Sequence, residues 1–367
     1  ALRRQIVQMI TLSACKSARE MELEALSGGS AGAMSAAACA ADDEYARVVQ
    51  IQLPEQRSSS RKVRWPVTVR AHAPRVYHEL RRLANVRPDV FCTSLGGGCA
   101  TERFTEGRSG AFFYFTHDRR YIIKTMTSEE FATLGRLLPR YHEHVQRNPT
   151  SLINRLVGAH ELSLYGQRVR VVILESCFAS GVVVHERFDL KGSWVGRGGK
   201  KRSLTSQMGV LKDLDVRERL LLAPKVASRV GATLRGDVAF LAENEVLDYS
   251  LLVGVTKTRF EIDEEAAEQT ALAELAGGRG SNSSHGGRGM FGAAYVEGAE
   301  SYSLGIIDIL QVWNWRKRLE YVLKRFLCCG GKGVSVHPPH AYGRRFTRNV
   351  VEALVEPPRA EPARHGY

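Results

Sequence analysis

The sequence lacks the features of a membrane-spanning chain and of a cysteine-based metal site. No uninterrupted apolar run approaches the roughly 18 residues that a transmembrane helix needs, and no signal-peptide pattern is present. Because the chain begins at Ala1 rather than Met, we expect it to be a piece of a longer protein. The cysteines are odd in number and have no metal-type spacing, which predicts reduced thiols in a cytosolic compartment. They are Cys15, Cys39, Cys92, Cys99, Cys177, Cys328 and Cys329.

Acidic residues are fewer than basic ones. The chain has 52 Lys and Arg against 39 Asp and Glu, a formal net charge of +13. Such a balance predicts an anionic partner, either nucleic acid or the acidic face of a membrane. With 367 residues, of which 44% are hydrophobic, the chain can bury a core for one large or two small lobes.

The second half contains three short charged motifs, spaced about 60 residues apart. They are DLKGS from Asp189, DYSLLVG from Asp248, and GIID, which ends at Asp308. Each lies where an apolar run ends, and a carboxylate at the end of a buried strand is costly unless it binds a cation or accepts a proton. Together the motifs indicate a phosphoryl-transfer centre, provided that a phosphate cradle lies upstream.

The segment upstream has the pattern of such a cradle. A small-residue loop, GRSGA at 107–111, precedes aromatic residues 112–115, a turn at 116–120 and a second apolar run that ends in Lys124. This pattern predicts a β-hairpin with a lysine at the end of its second strand. Glycines allow backbone N–H groups to approach phosphate oxygens, and the lysine can reach two phosphates at once. Either feature alone is weak, whereas the ordered series is specific.

The ordered series resembles the phosphatidylinositol phosphate kinase family. The strings SGAFFYFTHDRRYIIKT, HERFDLKGS, LKDLD, FLAENEVLDYSLLVGV and GIIDILQ occur in that family's order, from near Val69 to about Phe346. The tail string SVHPPHAYGRRF is most similar to the phosphatidylinositol 4-phosphate 5-kinase subgroup, although Arg344 stands where many of its members have an acidic residue.

The resemblance implies an α+β fold with two lobes. The first lobe would hold an antiparallel sheet with helices, the second would be mixed, and ATP would lie in the cleft between them. The corresponding domains are an extension over 1–60, a first lobe over 61–178, a second lobe over 179–356 and a tail over 357–367. The second lobe would include a variable insertion at 257–304 and an activation loop at about 309–340.

The resemblance also implies a nucleotide site. Lys124 would hold the ATP phosphates, and a loop with Gly107, Ser109 and Gly110 would lie over them. Leu174 would line the ATP site at the end of the strand that leads into a hinge at 175–178.

Roles in the reaction follow in the same way. Asp308 would hold Mg²⁺, Asp248 would orient the inositol hydroxyl and accept its proton, and Lys191 would steady the γ-phosphate and contact ATP. Asp189 would brace the loop that presents Lys191.

Two basic segments predict contact with lipid. Basic residues dominate between 191 and 236, where aromatic residues do not alternate with them as a nucleic-acid platform would require. After Asp308, tryptophans and basic residues interleave in the pattern of a segment that lies on a bilayer. By resemblance this second segment selects the phosphoinositide. Its substrate and membrane residues would be Arg316, Lys317, Arg318, Lys324 and Arg325. We therefore expect phosphoinositides and an anionic membrane as partners, no nucleic acid, and a location at the cytosolic face of membranes; a homodimer is left open.

Some alternatives remain at this point. Residues 1–60 are expected to form a poorly packed extension, with an amphipathic or membrane-surface helix as the alternative. A helix is predicted from 128 to about 146, and Glu129 or Glu130 in its first turn could pair with Lys124 or serve the helix dipole. Other functions left open are phosphatidylinositol 5-phosphate 4-kinase or 3-phosphate 5-kinase activity, a protein kinase without HRD and DFG triplets, and a non-catalytic membrane-binding scaffold.

Overall fold

A computed structural model describes most of the chain. The described residues are 2–27, 42–53, 67–97, 99–104, 112–164, 166–178, 182–193, 210–216, 219–257, 300–313 and 338–356.

The first sheet has seven strands in the order β1-β2-β6-β7-β5-β4-β3, and every neighbouring pair is antiparallel. The strands are β1 (Val48–Leu53), β2 (Val67–His72), β3 (Cys99–Phe104), β4 (Phe112–Thr116), β5 (Tyr121–Met126), β6 (Leu156–Leu164) and β7 (Gln167–Glu175). The antiparallel sheet expected for the first part of the chain is therefore confirmed.

The predicted hairpin is formed by β4 and β5, and a single aspartate organises its turn. Asp118 Oδ1 accepts hydrogen bonds from Thr116 Oγ1 at 2.6 Å, Ser94 Oγ at 2.7 Å and the Arg120 backbone N–H at 3.1 Å. Arg119 completes the reversal with a φ of 58°. β5 continues to Met126, so Lys124 lies within the strand and not at its end.

Helices cover this sheet. They are α1 (Leu2–Ser27), α2 (Asp42–Ala46), α3 (Pro74–Leu83), α4 (Pro88–Gly96) and α5 (Ser128–Arg147). α5 matches the helix predicted from 128 to about 146. It begins with a capping box, in which the Thr127 side chain accepts from the Glu130 N–H and the Glu130 carboxylate accepts from the Thr127 N–H.

The packing of α1 corrects the expectation of a poorly packed extension. Its buried face joins the core of the sheet through a row of small or apolar side chains: Val7, Ile10, Ala14 and Ala18. Ser13, also fully buried, lies 3.3 Å from His160 Nδ1 on β6. Burial under this helix lowers the pKa of His160 to about 3, which keeps its ring neutral. β1 also falls within the segment expected to be an extension.

The second sheet has four strands in the order β11-β10-β8-β9. They are β8 (Glu186–Leu190), β9 (Leu211–Lys212), β10 (Ser250–Lys257) and β11 (Glu300–Ile307). The β8–β9 pair is parallel and the others are antiparallel, which makes the sheet mixed, as expected. A 3₁₀ turn (Asp213–Asp215) follows β9, and α6 (Pro224–Glu243) precedes β10.

The described part of the chain ends in what we call the C-terminal helix, α7 (Pro339–Phe346) continued by a π-helical stretch (Thr347–Val355). It packs beside α6, where a Cβ on Gly343 would lie 3.2 Å from Val238 Cγ1.

The two sheets meet through a short connection before β6. The Ile306 N–H donates to the Leu152 carbonyl at 2.7 Å, and the Asn154 N–H donates to the Ile306 carbonyl at 2.9 Å. One apolar core, which includes Val172 of β7 and Leu251 of β10, continues from one sheet to the other. These backbone hydrogen bonds and the shared apolar core therefore hold the two sheets on either side of an open space.

Candidate active site

The register of the second sheet brings its three charged motifs together. Leu251 of β10 pairs with Leu190 of β8 on one side and with Ile306 of β11 on the other. Lys191 follows β8, Asp248 precedes β10 and Asp308 follows β11. Since neighbouring strands here are antiparallel, all three side chains lie at the same end of the sheet.

The two aspartates share an unusual backbone conformation. Asp248 has a φ of 62° and Asp308 a φ of 61°, both in the left-handed region that most residues avoid. Such residues persist only where the surroundings hold them, and they cluster at functional sites. The chain therefore reverses sharply at each carboxylate, next to a strand.

Lys124 and Asp308 form an ion pair between the two sheets. Lys124 Nζ lies 3.0 Å from Asp308 Oδ1 and 5.4 Å from the centre of the Phe113 ring. The lysine side chain is only 12% exposed, whereas the Asp308 side chain is 47% exposed because it faces the open space between the sheets. The surrounding walls of the cleft keep part of the water away, which alone would raise the pKa of Asp308, but the Lys124 ammonium, aided by the charge of Lys191, holds that pKa below its usual value. Asp308 is therefore a carboxylate poised to bind a cation.

The backbone at Lys191 is fixed by an acidic residue to which the sequence assigned no role. Asp213 Oδ1 accepts from the Lys191 N–H at 2.9 Å and from the Gly192 N–H at 2.6 Å. Asp213 belongs to the LKDLD string and is held close by the parallel β8–β9 pair. The spacing of that string along the sequence gave no signal of this contact. The bracing role expected of Asp189 stays a prediction.

A cavity of about 410 Å³ opens between the sheets at the ion pair. Lys124, Asp308 and Leu174 line it, together with hinge residues Ser176 and Cys177. Its other walls are mostly apolar, and they include Leu156, Val172, Leu252, Ile307 and Leu310. A largely apolar cleft with a few charges at one end is typical of sites for small ligands.

Glu175, at the end of β7 and the start of the segment expected to be the hinge, is buried from solvent. Neither of its carboxyl oxygens has a hydrogen-bond partner among the described residues. Burial raises the pKa of Glu175 to about 8, and the guanidinium groups of Arg155 and Arg120 oppose this rise only in part. The group is therefore protonated over much of the physiological pH range.

The open question about the first turn of α5 is settled for one of its two glutamates. Glu130 is engaged in the capping box, and Lys124 forms its ion pair with Asp308. The alternative that Glu130 serves the helix terminus is therefore confirmed.

Several predicted site residues lie outside the described residues. They are Gly107, Ser109 and Gly110 of the phosphate loop, and Arg316, Lys317, Arg318, Lys324 and Arg325 of the basic segment.

The donor set at Asp308 fits Mg²⁺. The described part of the chain holds no group of three or more His, Cys, Asp or Glu side chains that could form a complete metal cage. Mg²⁺ does not need one, since it is commonly held by one or two carboxylates together with substrate phosphates and water. Asp308, exposed toward the cavity, can supply such a carboxylate.

Among the described helices, none combines the length and apolar character needed to cross a bilayer.

Comparisons with known proteins agree with the arrangement of these motifs. The chain is 29% identical over 329 residues to the phosphatidylinositol 4-phosphate 5-kinase of Plasmodium falciparum (isolate 3D7). The aligned region covers 81% of this chain and 19% of that protein. It is 30% identical over 313 residues to phosphatidylinositol 4-phosphate 5-kinase type-1 alpha of Rattus norvegicus, covering 78% of this chain and 57% of that protein. A probable phosphatidylinositol phosphate kinase of Dictyostelium discoideum is 30% identical over 340 residues, covering 78% of this chain and 47% of that protein.

This chain thus spans between about a fifth and somewhat more than half of the length of these relatives. Residues 95–353, which hold Lys124, Lys191, Asp248 and Asp308, match the family described as Phosphatidylinositol-4-phosphate 5-Kinase. The chain belongs to that family.

Proposed function

We propose that this protein is a lipid kinase that transfers the γ-phosphate of ATP to the inositol ring of phosphatidylinositol 4-phosphate, forming phosphatidylinositol 4,5-bisphosphate. The observation that carries the proposal is the Lys124–Asp308 ion pair at 3.0 Å in a cavity of about 410 Å³. Asp248 and Lys191 lie at the same end of the second sheet, as argued from its register. The relatives named above bear the name of this activity.

The first sheet and its helices would form the first lobe, over 61–178 together with α1 and β1, and the rest would form the second lobe, over 179–356. ATP would lie in the cleft between them, with its base against the apolar walls near Leu174 and the hinge. Its phosphates would then reach Lys124, and the loop with Gly107, Ser109 and Gly110 would cover them. Such placement converts binding energy into the alignment that phosphoryl transfer requires.

The charged end of the cleft would carry the chemistry. Asp308 would hold Mg²⁺, which supplies charge neutralisation at the phosphates when bound. Asp248 would orient the inositol hydroxyl and accept its proton as the phosphoryl group is transferred. Lys191 would donate to the γ-phosphate oxygens, where negative charge redistributes in the transition state.

Contact with the lipid would come from charge outside the cleft. Arg316, Lys317, Arg318, Lys324 and Arg325 would bind the anionic headgroup and the membrane surface, each worth about 1 kcal/mol near such a surface. The enzyme would thus act at the cytosolic face of a membrane as a peripheral protein. Assembly as a homodimer is left as part of this proposal.

A direct assay tests the proposal. The chain is incubated with Mg²⁺, labelled ATP and vesicles that carry phosphatidylinositol 4-phosphate, 5-phosphate or 3-phosphate. We expect labelled bisphosphate from the 4-phosphate only. Lys124→Met should abolish it and leave vesicle binding intact, whereas Arg147→Met, whose side chain is 74% exposed on α5, should change neither.

Each other result has a distinct meaning. Label from another monophosphate would overturn the regiochemistry but keep the kinase. Label on a protein substrate alone would favour a protein kinase. ATP binding and vesicle binding without any transfer would favour the scaffold, and full activity of Lys124→Met would refute the assigned nucleotide site.

A further inference from the structure

Three side chains on the C-terminal helix contact the two loops that carry Lys191 and Asp248. The Tyr342 hydroxyl donates to the Tyr249 carbonyl, one residue after Asp248. Arg345 Nη2 donates to the Lys191 carbonyl at 3.3 Å. Asn349 Nδ2 donates to the Gly192 carbonyl at 2.9 Å.

The spacing of these three side chains places them in one row. Residues 342, 345 and 349 follow one another at intervals of three and four, so they share a face over successive helical turns. A single rigid element therefore contacts both loops at once.

The contact at Gly192 is as close as a glycine allows. Gly192 has a φ of 64°, and a Cβ placed on it would lie 3.2 Å from Asn349 Cβ and 3.4 Å from the Arg345 carbonyl oxygen. The loop thus packs directly against the helix backbone, which explains why the DLKGS motif needs a glycine next to its lysine.

The same two residues, Lys191 and Gly192, are also bonded through their N–H groups. Asp213 accepts from the N–H groups of Lys191 and Gly192, while the helix donates to their carbonyls. Lys191 is therefore anchored at both its backbone donor and its backbone acceptor.

The helix itself is fixed by the core. Its other apolar side chains are almost fully buried, at 0–2% exposure: Phe346, Val350, Val351 and Val355. Precise placement of a reacting group requires that the residues behind it be locked by packing, and this helix meets that condition.

We propose that the C-terminal helix positions the reacting groups of this enzyme: Asn349 and Arg345 set the place of Lys191, and Tyr342 sets the place of Asp248 through Tyr249. The proposal rests on the roles proposed above for Lys191 and Asp248. Asn349 is a positioning residue, because it acts on the phosphates only through the Lys191 loop.

The test compares two asparagines that make the same type of bond. Asn349→Ala removes an amide donor to the Gly192 carbonyl. Asn148→Ala removes an amide donor to the His144 carbonyl, at 3.0 Å, where α5 ends away from the cleft. Both variants are measured for kcat, for KM of ATP, and for amide hydrogen exchange in the segment 186–193.

Asn349→Ala should lower kcat by about tenfold to a hundredfold, since misplacement of a reacting group by an ångström has effects of that size. KM for ATP should stay within about twofold, because Lys124 and the cleft walls are intact. Hydrogen exchange should accelerate in the segment 186–193 and not in β5 or β7. Asn148→Ala should alter none of these quantities in the cleft.

Two results would overturn the proposal. One is unchanged exchange in the segment 186–193 of Asn349→Ala, which would show that the helix does not hold the loop. The other is an equal loss of kcat in both variants, which would mean a general effect on folding. If the unsubstituted chain itself transfers no phosphate, the proposed function fails, and the exchange measurement alone decides whether the helix holds the loop.

Discussion

Lys124 and Asp308 form an ion pair between the two sheets across the cleft, and in the free protein each charge stabilises the other. The carboxylate compensates the charge of a lysine that is only 12% exposed, and the ammonium keeps the pKa of Asp308 low. Binding of a nucleotide as proposed would give Lys124 phosphate oxygens as new partners and leave Asp308 to a cation. The resting ion pair thus holds both groups charged and in place.

Replacement of Asp308 should therefore separate catalysis from stability. We expect Asp308→Asn to lower kcat by about a thousandfold, since it removes the only carboxylate proposed to hold Mg²⁺. The melting temperature should fall only modestly: Lys124 loses its charged partner, but water at the half-exposed position of Asp308 can partly solvate the ammonium. Initial rates and thermal unfolding check this, with Asp89→Asn, 68% exposed on α4, as the control. Activity of Asp308→Asn within a few-fold of the unsubstituted chain would contradict the assignment.

Glu175 should make the free energy of unfolding decrease as the pH rises. Its pKa in the folded chain is about 8, raised from an ordinary 4.5 by burial. Between these two values the folded state holds a proton that the unfolded state has lost, so stability falls as the pH rises through this window. The slope is at most about 1.4 kcal/mol per pH unit for one group.

We therefore expect Glu175→Gln to flatten the pH dependence of the free energy of unfolding between about pH 5 and 8 and to stabilise the protein most at the upper end. Denaturant unfolding at several pH values measures this. Glu143→Gln, whose side chain is 54% exposed, should keep the slope of the unsubstituted chain. A Glu175→Gln variant that is equally pH-dependent would show that the buried carboxyl does not titrate in this window.

At the scale of elements, the sequence predicted those parts whose causes are local. The hairpin followed from its aromatic run, turn residues and apolar run, and Asp118 organises its turn within a few residues. The start of α5 followed from Thr127 and Glu130, which cap each other across one helical turn. In each case the stabilising contacts join residues close in sequence, so the local sequence pattern is enough to predict them.

α1 was misjudged because its partners are far away in sequence. Its buried face consists largely of small residues such as Ala14 and Ala18, which are compatible equally with a packed helix and a loose extension. What fixes the helix is contact with the sheet, for example between Ser13 and His160, 147 residues apart. No local sequence pattern predicts such a contact.

The packing of α1 makes a prediction about stability. Ile10 is fully buried between the helix and the first sheet, so Ile10→Asp would place an uncompensated charge there and should destabilise the chain by at least about 3 kcal/mol. Leu23→Asp, on the same helix but 65% exposed, should change stability by less than about 0.5 kcal/mol. Urea unfolding of both variants checks this. Equal stabilities would mean that α1 is not part of the folded core in solution.

At the scale of the whole molecule, the sequence predicts the groups that we propose to react but not what positions them. Asp248, Asp308, Lys191 and Lys124 lie in motifs whose residue types carry the chemistry, and they could be named from the sequence. Asn349 lies 157 residues from Gly192, in a helix with no unusual composition, and its contact depends on how that helix packs. Roles that depend on packing between residues so far apart in the sequence cannot be predicted from a single motif.

The net charge of +13 belongs to the molecule as a whole, but its effect on membranes should depend on where the charges lie. Exposed charges more than about 8 Å apart are screened from one another at physiological salt, so a vesicle surface senses only the basic groups that face it. Combined replacement of Arg316, Lys317 and Arg318 by Ala should therefore weaken binding to anionic vesicles and reduce its dependence on salt.

The matched control removes the same amount of charge elsewhere. Arg87, Arg136 and Arg147 are exposed on the helices of the first sheet, and their combined replacement by Ala lowers the net charge equally. We expect this second variant to bind vesicles like the unsubstituted chain, as measured by vesicle sedimentation over a series of salt concentrations.

If both variants lose binding to the same degree, net charge alone governs membrane attachment, and the basic segment after Asp308 has no special role in it. If only the first variant loses binding, the segment is the membrane-facing surface, and it lies in the chain directly after the aspartate proposed to hold Mg²⁺.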